Sequence, residues 1–328
     1  MEYTRRVLSG GFAALLCLST QVLAQATPER TSITIGLPVT TSTFLPLYLA
    51  EEEGFFADEG VNVEIVAFRG GTDLVRGMIA DAVEIGVTSL AGVNVGIAAD
   101  QPLRAFYGGF NMAVFDWYGT SDIPAMSETQ GRRFGVSTLG SSTDFLTRYA
   151  LLQAGINPET EVQIIQGGGS PARLAAMDAG QLDVNIFATP EKFMAADAGY
   201  NLLLRQSDLA PDYPFHVFFA TQDFIAENPE TIRAVLRGFV RGVRLAQADP
   251  ERSIRLLVER VGMAQEYSER GYADFINSIY EDGRMPSAEG MASFWDVGIL
   301  SGEYTEVWDE PRYLDRTFID SYATWRPE

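Results

Sequence analysis

Polar and apolar positions alternate in short bursts along the first third of the chain, separated by stripes of helical period. Ser32-Ile33-Thr34-Ile35-Gly36-Leu37 repeats at period two and predicts a strand. Residues 44–53 predict a helix stopped by Gly54, and residues 61–66 alternate again as a second strand. A short helix over 73–80 and a third strand over 83–87 follow. Strands alternating with helices in this way predict a parallel sheet with helices on both faces.

The pattern then echoes itself. Gly70-Gly71-Thr72 leads through a short helix with Met78 to Val83-Glu84-Ile85-Gly86-Val87. Further along, Gly168-Gly169-Ser170 leads through Met177 to Leu182-Asp183-Val184-Asn185-Ile186. Taken alone the match is a weak repeat; as a structural one it would mean two similar α/β lobes, each with its own sheet. After Asn228-Pro229-Glu230, apolar residues at 232, 235, 236, 239, 240 and 243 mark a long helix with one buried stripe. Arg233, Arg237, Arg241 and Arg244 lie mainly off that stripe, and a solvated face accounts for them better than an anion patch.

The ends and the composition narrow the class. Arg5-Arg6, an apolar stretch over 12–18 and small residues up to Ala26 read as a secretory signal peptide over 1–26, of the Sec rather than the twin-arginine type. Cys17 follows Leu15-Leu16, which does not suit a lipid anchor, and cleavage would remove this single cysteine. The mature chain would then hold no disulfide and no thiolate. The formal net charge is −20. Such an acidic surface argues against nucleic acid and anionic lipid as partners. The expected location is the periplasm.

Specific residues carry a family resemblance. Leu45-Pro46-Leu47-Tyr48-Leu49-Ala50, then Gly54-Phe55-Phe56 and Glu59-Gly60-Val61-Asn62-Val63-Glu64, resemble the opening of periplasmic binding proteins of the nitrate/sulfonate/taurine and thiamine-precursor (NMT1/THI5-like) group. Ala179-Gly180-Gln181-Leu182-Asp183-Val184 and Asp223–Thr231 resemble later segments of that group, in the expected order. The resemblance implies a two-lobed α/β fold of the type II binding-protein class. Lobe I would span 30–117 and 222–328, and lobe II 118–221. The hinge crossings would fall near 115–118 and 215–221.

A cleft between such lobes would be lined by the loops after the strands. Thr41, Ser42, Thr43 and Phe44 follow the first strand, and Gly140, Ser141, Ser142 and Thr143 make the same hydroxyl-rich helix start later on. Either can cap its helix or present backbone N–H groups to an anion. Arg69 with Gly70 and Gly71 forms a glycine-rich loop in which the arginine is either an anion anchor or one half of a salt bridge. Gly169 and Ser170 are its counterpart. Thr88, Ser89, Phe110, Asn111, Phe187, Thr189 and the lone His216 complete the candidate wall, with Phe44, Phe68, Phe110 and Phe187 as a possible flat sandwich.

The resemblance extends to an enzyme, the thiamine-pyrimidine synthase, which uses cysteines, histidines and a lysine. One histidine, one lysine (Lys192) and no cysteine beyond the leader suit a carrier better. No Gly-x-Ser-x-Gly or His-Glu-x-x-His motif occurs. The expectation is a monomeric, cofactor-free binding protein that delivers a small organic solute, anionic or heteroaromatic, to an ABC permease. A ligand sensor for a membrane receptor is the alternative.

Overall fold

The computed structural model describes residues 27–328, so the expected leader and Cys17 lie outside the described residues. Ten strands form: β1 (Ser32–Leu37), β2 (Asn62–Ala67), β3 (Ile85–Thr88), β4 (Leu103–Asn111), β5 (Asp116–Gly119), β6 (Arg133–Val136), β7 (Gln163–Gln166), β8 (Val184–Phe187), β9 (Asn201–Arg205) and β10 (Pro214–Thr221). They build two five-stranded sheets, ordered β2-β1-β3-β10-β4 and β7-β6-β8-β5-β9. In the first, β1 pairs parallel with β2 and β3; in the second, β6 pairs parallel with β7 and β8. The fourth strand of each, β10 or β5, is antiparallel to its neighbours.

The two sheets therefore share one plan, and the glycine echo sits at matching places in it. Gly70-Gly71 opens the helix Gly71–Ile79 before β3, and Gly169-Ser170 opens the helix Ser170–Asp178 before β8. Strands buried on both faces run apolar without alternation: every residue of β3 and β8 is buried.

The chain crosses between sheets twice, and both crossings lie N-terminal to where the family resemblance implies them. The first is the link from Asn111 to Asp116, because Trp117 and Tyr118 already pair with Ile186 and Asn185. The second lies between Arg205 and Pro214. Residues 215–221, expected as a hinge, are instead strand β10 inside the first sheet, with 214–220 all buried between β3 and β4. A continuous apolar run belongs to a central strand, and the linker is the polar, proline-bearing stretch before it. The two crossings touch: Phe115 N donates to Gln206 Oε1 at 3.2 Å, Gln206 N to Phe115 O at 2.9 Å, and Met112 N to Tyr213 O at 3.0 Å.

The long helix Pro229–Ala248 buries the predicted stripe against the first sheet, where Phe239 packs edge-on to Phe218 at 4.9 Å. Its arginines are not a solvated face. Arg237 is buried with its Nε 2.5 Å from Glu59, because the helix Phe55–Asp58 packs across that side. Arg241 pairs with Asp58, Arg244 with Glu281 and Arg233 with Glu230. A buried guanidinium is tolerated where a carboxylate meets it. No described helix is long and apolar enough to cross a membrane.

Candidate functional site

A cleft of about 580 Å³ lies between the sheets, walled by the segments that follow β1, β2, β3, β6, β7 and β8. Strand ends and helix starts meet there because a parallel sheet delivers both at its carboxyl edge. Its size suits a small organic molecule.

Eleven of the expected residues line this cleft: Thr41, Gly70, Gly71, Thr88, Ser89 and His216 from the side of the first sheet, Ser141, Ser142, Thr143, Gly169 and Ser170 from that of the second. The others are placed elsewhere. Ser42 and Thr43 are buried beneath the wall; Ser42 Oγ donates to Thr189 O at 3.4 Å. Asn111 Nδ2 donates to Arg284 O at 3.0 Å, and Gly140 N to Asp144 Oδ2 at 2.9 Å. Thr189 Oγ1 donates to Asp274 at 3.1 Å.

Arg69 is not brought to the cleft. Its side chain is 88% exposed and its Nε lies 3.5 Å from Asp73, one helical turn ahead. The phenyl sandwich is also absent. Phe44 and Phe110 are fully buried in the core of the first sheet and Phe187 in that of the second. The rings that do line the cleft are Phe115 and Phe215, beside the two crossings, edge-to-face at 5.3 Å. His216 stacks on Phe44 at 4.6 Å and packs tilted against Phe215 at 3.8 Å. Burial holds its imidazole neutral, with a pKa pushed down to about 3.

The second half contributes a closed ring of hydroxyls at the start of the helix Ser142–Gln153. Ser137, Ser141 and Thr143 lie 2.8–3.0 Å from one another, and Ser141 Oγ donates to Thr138 O at 2.7 Å. These hydroxyls are largely spent on each other. The free backbone N–H groups of that helix start remain for a polar ligand group.

Two charged residues of the wall went unnoticed in the sequence. Arg173, three residues into its helix, is 1% exposed; its guanidinium donates to Gly168 O, to Ser170 Oγ at 3.1 Å and to Ile186 O at 2.6 Å. Burial lowers its pKa to about 10, so it stays charged. A cation in the first turn of a helix opposes the helix dipole, and that misfit was the available signal. Glu191 is 7% exposed, and burial raises its carboxyl to about 7, with the charge of Arg173 acting against the shift. An acidic residue opening a helix reads as ordinary dipole matching, which hides it.

The remaining wall comes from far along the chain. Val261, Gly262, Met263, Ala264 and Tyr267 reach the cleft where Gly262, in a left-handed conformation (φ 76°), turns the backbone into the helix Gln265–Phe275. That helix also grips the helix Glu191–Asp197: Tyr267 Oη donates to Asp197 at 3.0 Å and Arg270 pairs with the same carboxylate at 2.9 Å. Across the opposite rim, Thr72 Oγ1 donates to Leu139 O at 2.9 Å. The two halves are thus in contact on both sides of the cleft.

Two sheets of one plan, joined by paired crossings around an enclosed cleft, define the two-lobed α/β fold of the periplasmic binding proteins. The NMT1/THI5 like family matches residues 41–253, and the chain belongs to it. A putative binding protein of Brucella abortus (strain 2308) is 25% identical over 256 residues, 76% of each chain. The alkanesulfonate-binding protein SsuA of Xanthomonas axonopodis pv. citri, solved with MOPS, matches with a TM-score of 0.74 at 18% identity, over 88% of this chain and 99% of that one. The periplasmic nitrate-binding protein NrtA of Synechocystis PCC 6803 matches with a TM-score of 0.73 at 15% identity, over 91% and 90%. An enzyme shares the fold as well: the desulfurization enzyme DSZB, with a TM-score of 0.66 at 13% identity, over 90% and 99%.

Proposed function

We propose that this chain is the solute-binding component of an ABC importer, a periplasmic monomer that closes two lobes around a small organic solute and releases it to a permease. The observation that carries this reading is the cleft itself, walled by helix starts from both sheets and bridged by hydrogen bonds on both rims. Such a layout suits hinge closure on a ligand. Binding proteins among the relatives support a carrier over a catalyst. The methionines and phenyl rings of the wall favour an organic molecule larger than nitrate. Its polar end would rest on the helix starts at Ser142 and Gly71.

Native mass spectrometry of protein purified without denaturation tests this. The expected result is a retained small molecule that dissociates unaltered, together with a smaller radius of gyration in its presence. Release of a chemically changed product would replace the carrier with an enzyme.

A further inference from the structure

We propose that Glu191 receives a cationic or N–H-donating nitrogen of the bound solute, so that the natural ligand is a nitrogenous organic molecule rather than a simple oxyanion. The inference deepens the binding role proposed above and rests on it.

Glu191 lines the cleft while 93% buried, yet among the described residues its carboxylate makes no salt bridge and accepts no side-chain hydrogen bond. Enclosing a carboxylate whose one donor is its own backbone N–H is costly, so the wall is incomplete until a further group donates to it. The charge of Arg173 offsets part of this cost, but its guanidinium makes no ion pair with the carboxylate. The guanidinium of Arg173 is turned onto Gly168, Ser170 and Ile186, and its Nε is buried with no hydrogen-bond partner. His216 is neutral, and Arg69 lies outside on the surface.

The surroundings suit a nitrogen cation. Met194, Met263, Phe215 and Tyr267 offer thioether sulfur and aromatic faces, which attract organic cations without hydrogen bonds. The hydroxyls of Ser137, Ser141 and Thr143 have committed their protons to one another and to Thr138 O, and so present lone pairs more than donors. A carboxyl that burial holds near neutrality would lose its proton as the cation arrives. The helix starts stay open for an acceptor at the ligand's other end, so a solute carrying both kinds of group fits the whole wall.

Benzamidine and benzoate make the test, since they share one planar frame and differ in the sign of its head. Titration calorimetry on the full mature protein should give benzamidine a Kd at least about tenfold below that of benzoate. At acidic pH, its binding should release a proton, seen as a heat that changes with the ionisation enthalpy of the buffer. Glu191→Gln, checked for folding by circular dichroism, should lose both the preference and the proton release. Benzoate binding as well as or better than benzamidine overturns the inference. So does a failure of both probes to bind, or an unchanged preference in the variant. A benzoate preference accompanied by compaction would leave the binding role standing, whereas that role falls if native mass spectrometry finds no retained solute or a chemically changed one.

Discussion

Lys192 Nζ lies 2.6 Å from Asp274 Oδ2, joining the helix Glu191–Asp197 behind the second sheet to the helix Gln265–Phe275 from the C-terminal region. The lysine side chain is 6% exposed and its Nζ also donates to Val114 O, in the first crossing, at 3.3 Å. The chain's one lysine is therefore a clasp between its halves. Lys192→Met should weaken binding of the co-purified solute by about tenfold, because Asp274 loses its partner only in the closed form. In a double-mutant cycle with Asp274→Asn, titration calorimetry should give effects well short of additive. Full additivity would assign the two residues independent roles.

Gly70 marks where the halves come closest on the other rim. A Cβ added there would meet Thr138 Cγ2 at 2.5 Å, and Thr138 is itself buried. Gly70→Ala should therefore obstruct closure while leaving the open form intact. The expected outcome is at least about a tenfold loss of affinity, with little change in the melting temperature of the empty protein. Unchanged affinity would mean that the rims never approach this closely in solution.

Glu191 gives the ligand-free protein a specific pH dependence. Its folded pKa, about 7, is raised above the ordinary 4.5. Its contribution to stability is fully present below the ordinary value and is lost as pH rises through about 7. The wild type should therefore lose melting temperature across that window relative to Glu191→Gln. Parallel curves for the two proteins would show that the carboxyl titrates normally.

Arg173 should matter to stability more than to recognition. Arg173→Met would strand the carbonyls of Gly168 and Ile186, which now accept from it, and remove the charge that moderates Glu191. A loss of about 1–3 kcal/mol in urea unfolding is expected. Arg173→Lys should recover only part, since one ammonium cannot span three acceptors.

By contrast, Arg69→Ala should change affinity and stability little. The side chain is mostly in solvent, and an exposed ion pair such as Arg69–Asp73 contributes about 0–1 kcal/mol. A tenfold loss of binding would return Arg69 to the cleft.

Local periodicity carried most of the fold. β1 and the long helix fall where the patterns of 32–37 and 232–243 place them, because the strand alternates at period two and the helix has a single stripe. The glycine echo marks equivalent positions in two sheets, since both loops must start a helix at a strand's end. The site was less legible. Phe110 and Phe187 are cleft-like in composition but core in fact, and a sequence does not say which side of a strand end faces the neighbouring lobe. Met263 and Tyr267 sit far along the chain from the rest of the wall, and only the turn at Gly262 brings them back. The second crossing was displaced because the resemblance was carried onto the apolar run that is strand β10, whereas the linker is the polar stretch before it.

The placement of β10 also fixes an order of assembly. The second sheet is drawn from one uninterrupted stretch, 116–205, and can pair all its strands as soon as that stretch is available. The first sheet cannot. Its β3 and β4 flank a position filled only by β10, so each exposes an unpaired edge until the whole second sheet has been made. Such edges invite pairing with other chains. In a chain that folds as it emerges, the later lobe would complete first and the earlier one would wait half-built, which would make this interval the point at which a chaperone has most to protect.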